Sequence, residues 1–277
     1  KILPNFATVN DKTIKNSRMM KKTTTIRLVR NATLRINYAG HNILVDPFFA
    51  DKGTIQSALG VYKSPRVYLV MPVSEITEGV NFVLQTHIHP DHYDETVKRH
   101  LSKDILYYTQ PQDKATVEQD GFTRVEVIED KTTMGGMTIH RVSGHHGFGK
   151  IGEIMGPVSG YVLTSEDCPT VYIMGDCKWE ACIRETVERF NPDYIVVNSG
   201  GAVFPEFSKV DGCIIPDEAE VMQMLDELPT HIKLIAVHMD AIDHCQTTRE
   251  ILRNEAWHHG ADMNRLIIPE DGETIKL

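Results

Sequence analysis

The chain has 277 residues, 29 Lys plus Arg against 38 Asp plus Glu for a formal charge of −9, 41% apolar residues and 24% charged ones. That composition is globular and excludes a disordered chain. The acidic balance disfavours generic nucleic-acid binding, because it repels phosphate backbones, and no apolar run approaches the ~18 residues that a membrane span needs.

Lys1 to Lys22 is basic and polar and lacks the apolar stretch of a signal peptide. Residues 1–24 read as an N-terminal extension, with Met19 or Met20 a candidate natural start, and residues 25–277 as a single domain. Thr25–Val29, Thr33–Tyr38 and Asn42–Asp46 read as strands, the last two joined by a turn at Gly40. Asp51–Pro65 is a loop without a period. Asn81–Thr86 reads as a short buried strand stopped by Pro90, and Asp91–Leu101 as a helix. Ile105–Thr109, Arg124–Ile128, Met137–Val142, Val158–Thr164 and Val171–Met174 follow as strands, with a helix over Asp113–Asp120. Trp179–Phe190, Asp217–Leu228 and Thr247–His258 read as helices between the strands Tyr194–Asn198, Lys233–Val237 and Leu266–Ile268. A strand-rich first half and an alternating second half suggest an α/β arrangement of two sheets packed face to face with helices outside.

The strongest chemical signal is His87-Ile88-His89-Pro90-Asp91-His92, a His-x-His-x-Asp-His cluster that begins where a buried strand ends. Neutral imidazoles with a carboxylate suit Zn, Mn or Fe(II). His87 and His89 are two residues apart and point the same way in an extended segment, whereas Asp91 and His92 lie beyond the turn at Pro90 and can face a second ion. Further candidates sit at the ends of later strands: His145-His146, Asp176 in Met-Gly-Asp-Cys, and His238 in Ala-Val-His-Met. A lone strand-end His is ordinarily a satisfied surface or core group; the joint occurrence carries the weight.

With Ile43-Leu44-Val45-Asp46-Pro47, His87 to His92, Gly144 to Gly147, Gly175-Asp176 and Val237-His238-Met239, the chain resembles the metallo-β-lactamase fold superfamily from about Thr25 to Leu277. Within it, the resemblance runs to small metal-dependent hydrolases such as ascorbate-6-phosphate lactonase, and more distantly to phospholipase D-like hydrolases of N-acyl-ethanolamine phospholipids. It implies a four-layer αβ/βα sandwich with a dinuclear site at one edge of the sheets. His87, His89 and His146 would then hold one ion, Asp91, His92 and His238 the other, and Asp176 would bridge them. His146 is taken in preference to His145, because the family's third ligand directly precedes Gly. Asp46 would support the ligand loop without being a ligand, and Asp91 would also orient the attacking hydroxide. Cys177 after Asp176 reads as a small buried hydrophobe.

Gly147-Phe148-Gly149-Lys150-Ile151-Gly152 matches G-x-G-x-x-G but runs on through Gly156-Pro157 into a strand, the wrong setting for a dinucleotide. It reads as a mobile loop beside the metals, where Lys150 would meet an anionic substrate or else be a solvated surface lysine. Asn198-Ser199-Gly200-Gly201 would line the same cleft, and Asp243 and His244 would support it or form a local turn. His41, His258 and His259 read as solvated, and Met222 and Met224 as helix core. The expected function is metal-dependent hydrolysis of a small polar lactone, ester or phosphodiester, phosphorylated or not. The alternatives are a non-catalytic metal-binding or sensing protein of the same fold and, against the acidic charge, an RNA-processing nuclease. Five scattered cysteines with no C-x-x-C pair are not a disulfide framework and point to a reducing, cytoplasmic compartment. The expected partner is a small-molecule substrate, with no nucleic acid and no membrane, and a homo-oligomer is left open.

Overall fold

The structure is a computed structural model that describes residues 23–277. The expected extension, residues 1–24, lies outside the described residues except for Thr23 and Thr24. Thr24 is buried, and its carbonyl accepts the Leu277 amide at 3.0 Å.

In chain order the elements are β1 (Thr25–Arg30), β2 (Thr33–Tyr38), β3 (His41–Val45), α1 (Val73–Thr77), β4 (Phe82–Leu84), α2 (Glu95–His100), β5 (Leu106–Thr109), α3 (Lys114–Gln119) and β6 (Val125–Val127). There follow β7 (Lys131–Met134), β8 (Met137–His145), α4 (Gly149–Met155), β9 (Pro157–Ser165), β10 (Val171–Ile173), α5 (Ala181–Phe190) and β11 (Tyr194–Asn198). The chain closes with α6 (Ser208–Asp211), α7 (Glu218–Glu227), β12 (Lys233–Val237), α8 (Arg249–His259), β13 (Leu266–Ile267) and β14 (Thr274–Lys276). They build two seven-stranded mixed sheets, ordered β14-β1-β2-β3-β4-β5-β6 and β13-β12-β11-β10-β9-β8-β7.

The sheets face each other across one apolar layer. Ile26, Leu34, Ile43 and Phe82 of the first meet Met137, Tyr161, Ile173 and Val237 of the second. The outer face of the first sheet buries Ile76, Val97 and Val117 of the helices α1, α2 and α3. The outer face of the second buries Ile183, Val187, Val221, Met224 and Leu252 of α5, α7 and α8. The result is the helix–sheet–sheet–helix layering expected from the sequence, since each sheet is apolar on both sides and must cover both.

Several elements depart from expectation. The helix expected over Asp91–Leu101 begins only at Glu95, because the Asp94 carboxylate accepts the Thr96 and Val97 amides at 2.5 and 2.9 Å and caps it there. The Gly147–Gly152 segment is not a mobile loop but runs into α4. Asp211 accepts the Ile151 amide at 3.2 Å in its first turn, and a Cβ on Gly149, at φ +60°, would collide with the same carboxylate. Lys150 lies exposed on that helix. His41 is half-buried rather than solvated, its ring 6.3 Å from Phe82.

Strand direction positions the site. Strands β3, β4, β5 and β6 are parallel neighbours, as are β10, β11, β12 and β13. β1 and β8 reach the same directions through two antiparallel pairings each. Every strand that leads into a candidate site residue therefore ends on one edge, the place where open α/β sheets bind ligands.

Candidate metal centre

The first sheet brings two turns and one loop to this edge. Asp46 ends β3 with φ 42°, a left-handed conformation that Asp tolerates better than most residues. Its Oδ1 accepts the Thr86 amide at 2.7 Å and Gln85 Nε2 at 3.0 Å, and its Oδ2 accepts Thr86 Oγ1 at 2.6 Å and faces His92 Nδ1 at 3.0 Å. Gln85 ties the loop from within, donating Nε2 to the His87 and His92 carbonyls at 2.5 and 3.1 Å. With Nδ1 engaged, the His92 ring presents Nε2 to the cluster, the usual way an outer carboxylate orients a ligating imidazole. The second sheet contributes His146 beyond β8, Asp176 beyond β10 and His238 beyond β12. His146 Nδ1 faces the Ile214 carbonyl at 3.2 Å, and Asn198 Nδ2 donates to Asp176 Oδ1 at 2.5 Å. Gly175, at φ +68°, permits this approach: a Cβ there would lie 2.9 Å from the Ser159 carbonyl and 3.4 Å from Thr86.

All seven candidate residues converge. Asp176 Oδ2 lies 3.3 Å from His92 Nε2, 3.3 Å from His146 Nε2, 3.8 Å from His238 Nε2 and 3.9 Å from His87 Nε2. His87 Nε2 and His89 Nδ1 are 3.0 Å apart, as are His92 Nε2 and His238 Nε2 at 3.1 Å, and Asp91 Oδ2 is 3.1 Å from His238 Nε2. The donors fall into three groups that could each hold an ion: His87, His89 and His146; His87, His92 and Asp176; and Asp91, His92 and His238. His145 turns outward instead. Its Nδ1 and backbone amide meet Glu180 at 2.8 Å, in a separate group with Cys182. Cys177 is fully buried, as expected.

The electrostatics divide the imidazoles. Burial, with His92 and His89 adding to it, holds His87 well below the usual imidazole value, and burial brings His146 down to about 4. His89 is lowered by burial as well. For His92 burial also pulls down, but the Asp176 and Asp91 carboxylates overcome it and raise the ring to about 10. His238 is raised well above 6.5 against the same burial, by Asp176 and then Cys245. Burial would raise both carboxylates, yet these two imidazoles hold Asp91 and Asp176 well below the ordinary range. Without a cation, protons on His92 and His238 balance two buried carboxylates. That is a donor set a divalent cation would fit, since it compensates the same charge and frees close-packed ring nitrogens to donate lone pairs.

A cavity of about 220 Å³ opens onto the cluster, reaching His89, Asp91, His146, Asp176 and His238. Its walls are largely apolar, from Ile55, Met155, Phe204, Ile214 and Ile242, and among the described residues no Lys or Arg lines it. The expected contact of Lys150 with substrate is therefore absent from this cavity. Of the strand-end run 198–201, Asn198 acts through Asp176, and Ala202 just beyond lines the cavity. Asp243 holds the facing loop, accepting from Ser57 Oγ and from the Ala58 and Leu59 amides.

Asn31 escaped the sequence reading. It is fully buried in the β1–β2 turn at φ 58°. Its carbonyl accepts the His238 amide at 3.0 Å, and its Nδ2 donates to the Asp91 carbonyl at 3.1 Å and reaches Asp91 Oδ2 at 3.4 Å. The available signal was an Asn in a two-residue turn between strands, where a left-handed residue is needed.

The Beta-lactamase superfamily domain family matches residues 41–239. The chain belongs to the β-lactamase superfamily. Among superfamily relatives, it is 33% identical over 256 residues to the UPF0173 protein YddR of Bacillus subtilis, covering 90% of this chain and 98% of that one. A solved structure described as a possible metal-dependent hydrolase from Veillonella parvula matches with TM-score 0.87 and 30% identity, covering 92% and 100% of the two chains. The isothiocyanate hydrolase from Delia radicum gut bacteria matches with TM-score 0.84 and 35% identity, covering 91% and 98%. The superfamily membership agrees with the two-sheet architecture and with the resemblance carried by the His-x-His-x-Asp-His loop.

Proposed function

We propose that this protein is a metal-dependent hydrolase of small, neutral, apolar electrophiles of the isothiocyanate class. His87, His89 and His146 would hold one divalent ion and Asp91, His92 and His238 a second, with Asp176 between them. Imidazole and carboxylate donors without a thiolate suit Zn, Mn or Fe(II). Two such ions would supply Lewis acidity and a water acidic enough to attack near neutral pH. The protein's own groups do the rest. Asp46 and Asn198 fix the facing atoms of His92 and Asp176, and Asn31 steadies Asp91. Of the two cluster carboxylates that line the cavity, Asp91 is the more exposed, its side chain at 17% against 5% for Asp176, and it would accept the proton of the attacking water. The apolar walls exclude competing solvent.

The observation that carries this reading is the Asp176 oxygen ringed by four imidazoles at the base of an apolar cavity. A filled, purely structural site would leave no such opening. The phosphorylated lactone or phosphodiester implied by the family resemblance would meet no lysine or arginine in these walls, and phosphate recognition ordinarily uses such cations. The 35% identity to an isothiocyanate hydrolase supports the substrate class. The reaction would be R–N=C=S + H2O → R–NH2 + COS. The test is metal-loaded protein on phenethyl isothiocyanate, with amine and carbonyl sulfide both quantified and Asp176→Ala as the control. Protein that binds its metal yet turns over phosphodiesters in preference, or nothing on a panel of isothiocyanates, esters and lactones, refutes the proposal.

A further inference from the structure

The cavity contains one imidazole outside the ligand cluster. His244 lies on its wall, in the segment after β12, with a side chain only 14% exposed. Its backbone is pinned: the carbonyl accepts the Val203 amide at 3.0 Å, and the next residue, Cys245, bridges to Ala202. Its ring packs on Phe204, centroids 5.1 Å apart and planes tilted by 35°. Among the described residues neither ring nitrogen has a hydrogen-bond partner, and Nδ1 is buried. The nearest acid, Asp243 Oδ1, is 3.8 Å from Nδ1, and that carboxylate is already committed to Ser57, Ala58 and Leu59. Buried polar groups are ordinarily paired, so an imidazole held rigid and unpaired beside a reaction centre calls for a partner that arrives with the substrate.

We infer that His244 is a catalytic residue: it donates a hydrogen bond to the substrate nitrogen and then protonates that nitrogen as it leaves. This deepens the hydrolase reading and rests on it. Addition of water to R–N=C=S gives R–NH–C(=O)–SH, one proton of the water reaching nitrogen and the other sulfur. Cleavage to R–NH2 and O=C=S then breaks the C–N bond, and nitrogen must gain the proton that sulfur loses. A neutral imidazole takes the sulfur proton at its exposed Nε2 and passes it from the same atom to nitrogen as the C–N bond breaks, so the ring ends unchanged. Burial lowers the His244 pKa, opposed by Asp91, Asp243 and Asp176 and reinforced by His238, which favours the neutral form that starts this transfer.

Leaving-group dependence tests the role. His244→Phe preserves the stack on Phe204, and His244→Gln is the second variant should the first fail to fold. With metal content equal to wild type, kcat on phenethyl isothiocyanate, whose amine must be protonated, should fall about 10²- to 10⁴-fold. kcat on 4-nitrophenyl acetate, whose nitrophenolate leaves unprotonated, should stay within about threefold. Equal losses on both substrates, or no loss on the isothiocyanate, overturn the assignment. A metal-loaded wild type inert on both defeats the hydrolase reading itself. The His244 contact is then judged by calorimetric binding of N-phenethylthiourea: a loss of about fivefold in His244→Phe, the worth of one hydrogen bond, sustains the contact, and unchanged binding overturns it.

Discussion

On the proposed two-ion arrangement, replacing Asp46 by Asn changes one atom and should detach one ion while leaving the other. Asp46 Oδ1 accepts from the Thr86 amide and Gln85, so the Asn oxygen will take that side and its NH2 will face Thr86 Oγ1 and His92 Nδ1. Thr86 Oγ1 can rotate to accept. With a cation on Nε2, His92 must keep its proton on Nδ1, where it would face the Asn NH2, two donors pointing at each other in a fully buried place. Asp46 accepts that proton in the wild type, so only the variant suffers this clash on binding the ion. An unsatisfied buried donor costs about 1–3 kcal/mol, and outer-shell substitutions weaken metal binding by about 10- to 100-fold; the two estimates agree. The ion held by Asp91, His92 and His238 should lose that factor in chelator competition. The ion held by His87, His89 and His146, which Asp46 does not touch directly, should keep its affinity within about threefold. Equal weakening of both ions, or none, would refute the tautomer argument.

Elemental analysis of His146→Ala should show metal lost, whereas His145→Ala, whose ring faces Glu180, should retain it; the opposite pattern exchanges their roles. Asn31→Gly keeps the left-handed turn and the carbonyl to His238 but removes the donor to Asp91, so the Asp91–His92–His238 ion should bind about 10-fold more weakly, with the other ion unaffected, as read by chelator competition. The two ions should also differ in pH dependence. His92, raised to about 10, and His238, raised well above 6.5, carry protons at pH 7 in the ion-free protein and must release them on binding. Affinity at that site should therefore rise steeply with pH, by about two decades per unit above neutrality. His87, His89 and His146 are lowered, with His146 at about 4, so they are already neutral at pH 7, and their ion should leave only on acidification. Release of both ions at a single pH midpoint would contradict the division.

The sequence spoke clearly where a segment's own residues set its conformation. Tyr194–Asn198 and Lys233–Val237 are apolar enough to be read as buried strands residue for residue. It was silent where a distant partner decides. Strand β7, Lys131–Met134, is polar and half exposed at the sheet edge, so no alternation marks it. Strand β14 forms by pairing with β1, more than two hundred residues away. The glycine-rich start of α4 reads as a loop until Asp211, from another part of the chain, caps it. The same contrast governs the site. The His-x-His-x-Asp-His loop announces itself, while Asn31 gives no chemical signal because its role is to bridge Asp91 and His238, which the sequence keeps far apart.

Charge explains why the cavity needs no lysine. The cluster contains two carboxylates, Asp91 and Asp176, and Asp46 stands directly behind His92. In the ion-free protein the raised imidazoles of His92 and His238 supply two positive charges, enough to balance the pair in front. Two divalent ions would supply four charges against the three carboxylates and neutralise those imidazoles, leaving about one positive charge beneath apolar walls. An anionic attacking oxygen satisfies that single charge, so a second anion on the substrate would enter a cavity with nothing left to compensate it, where burying an unpaired charge is costly. A neutral, apolar electrophile suffers no such penalty, and its hydrocarbon part gains by leaving water for contact with Phe204, Ile214 and Ile242. The proposed preference for neutral substrates would thus follow from the same few charges that make the ligands converge.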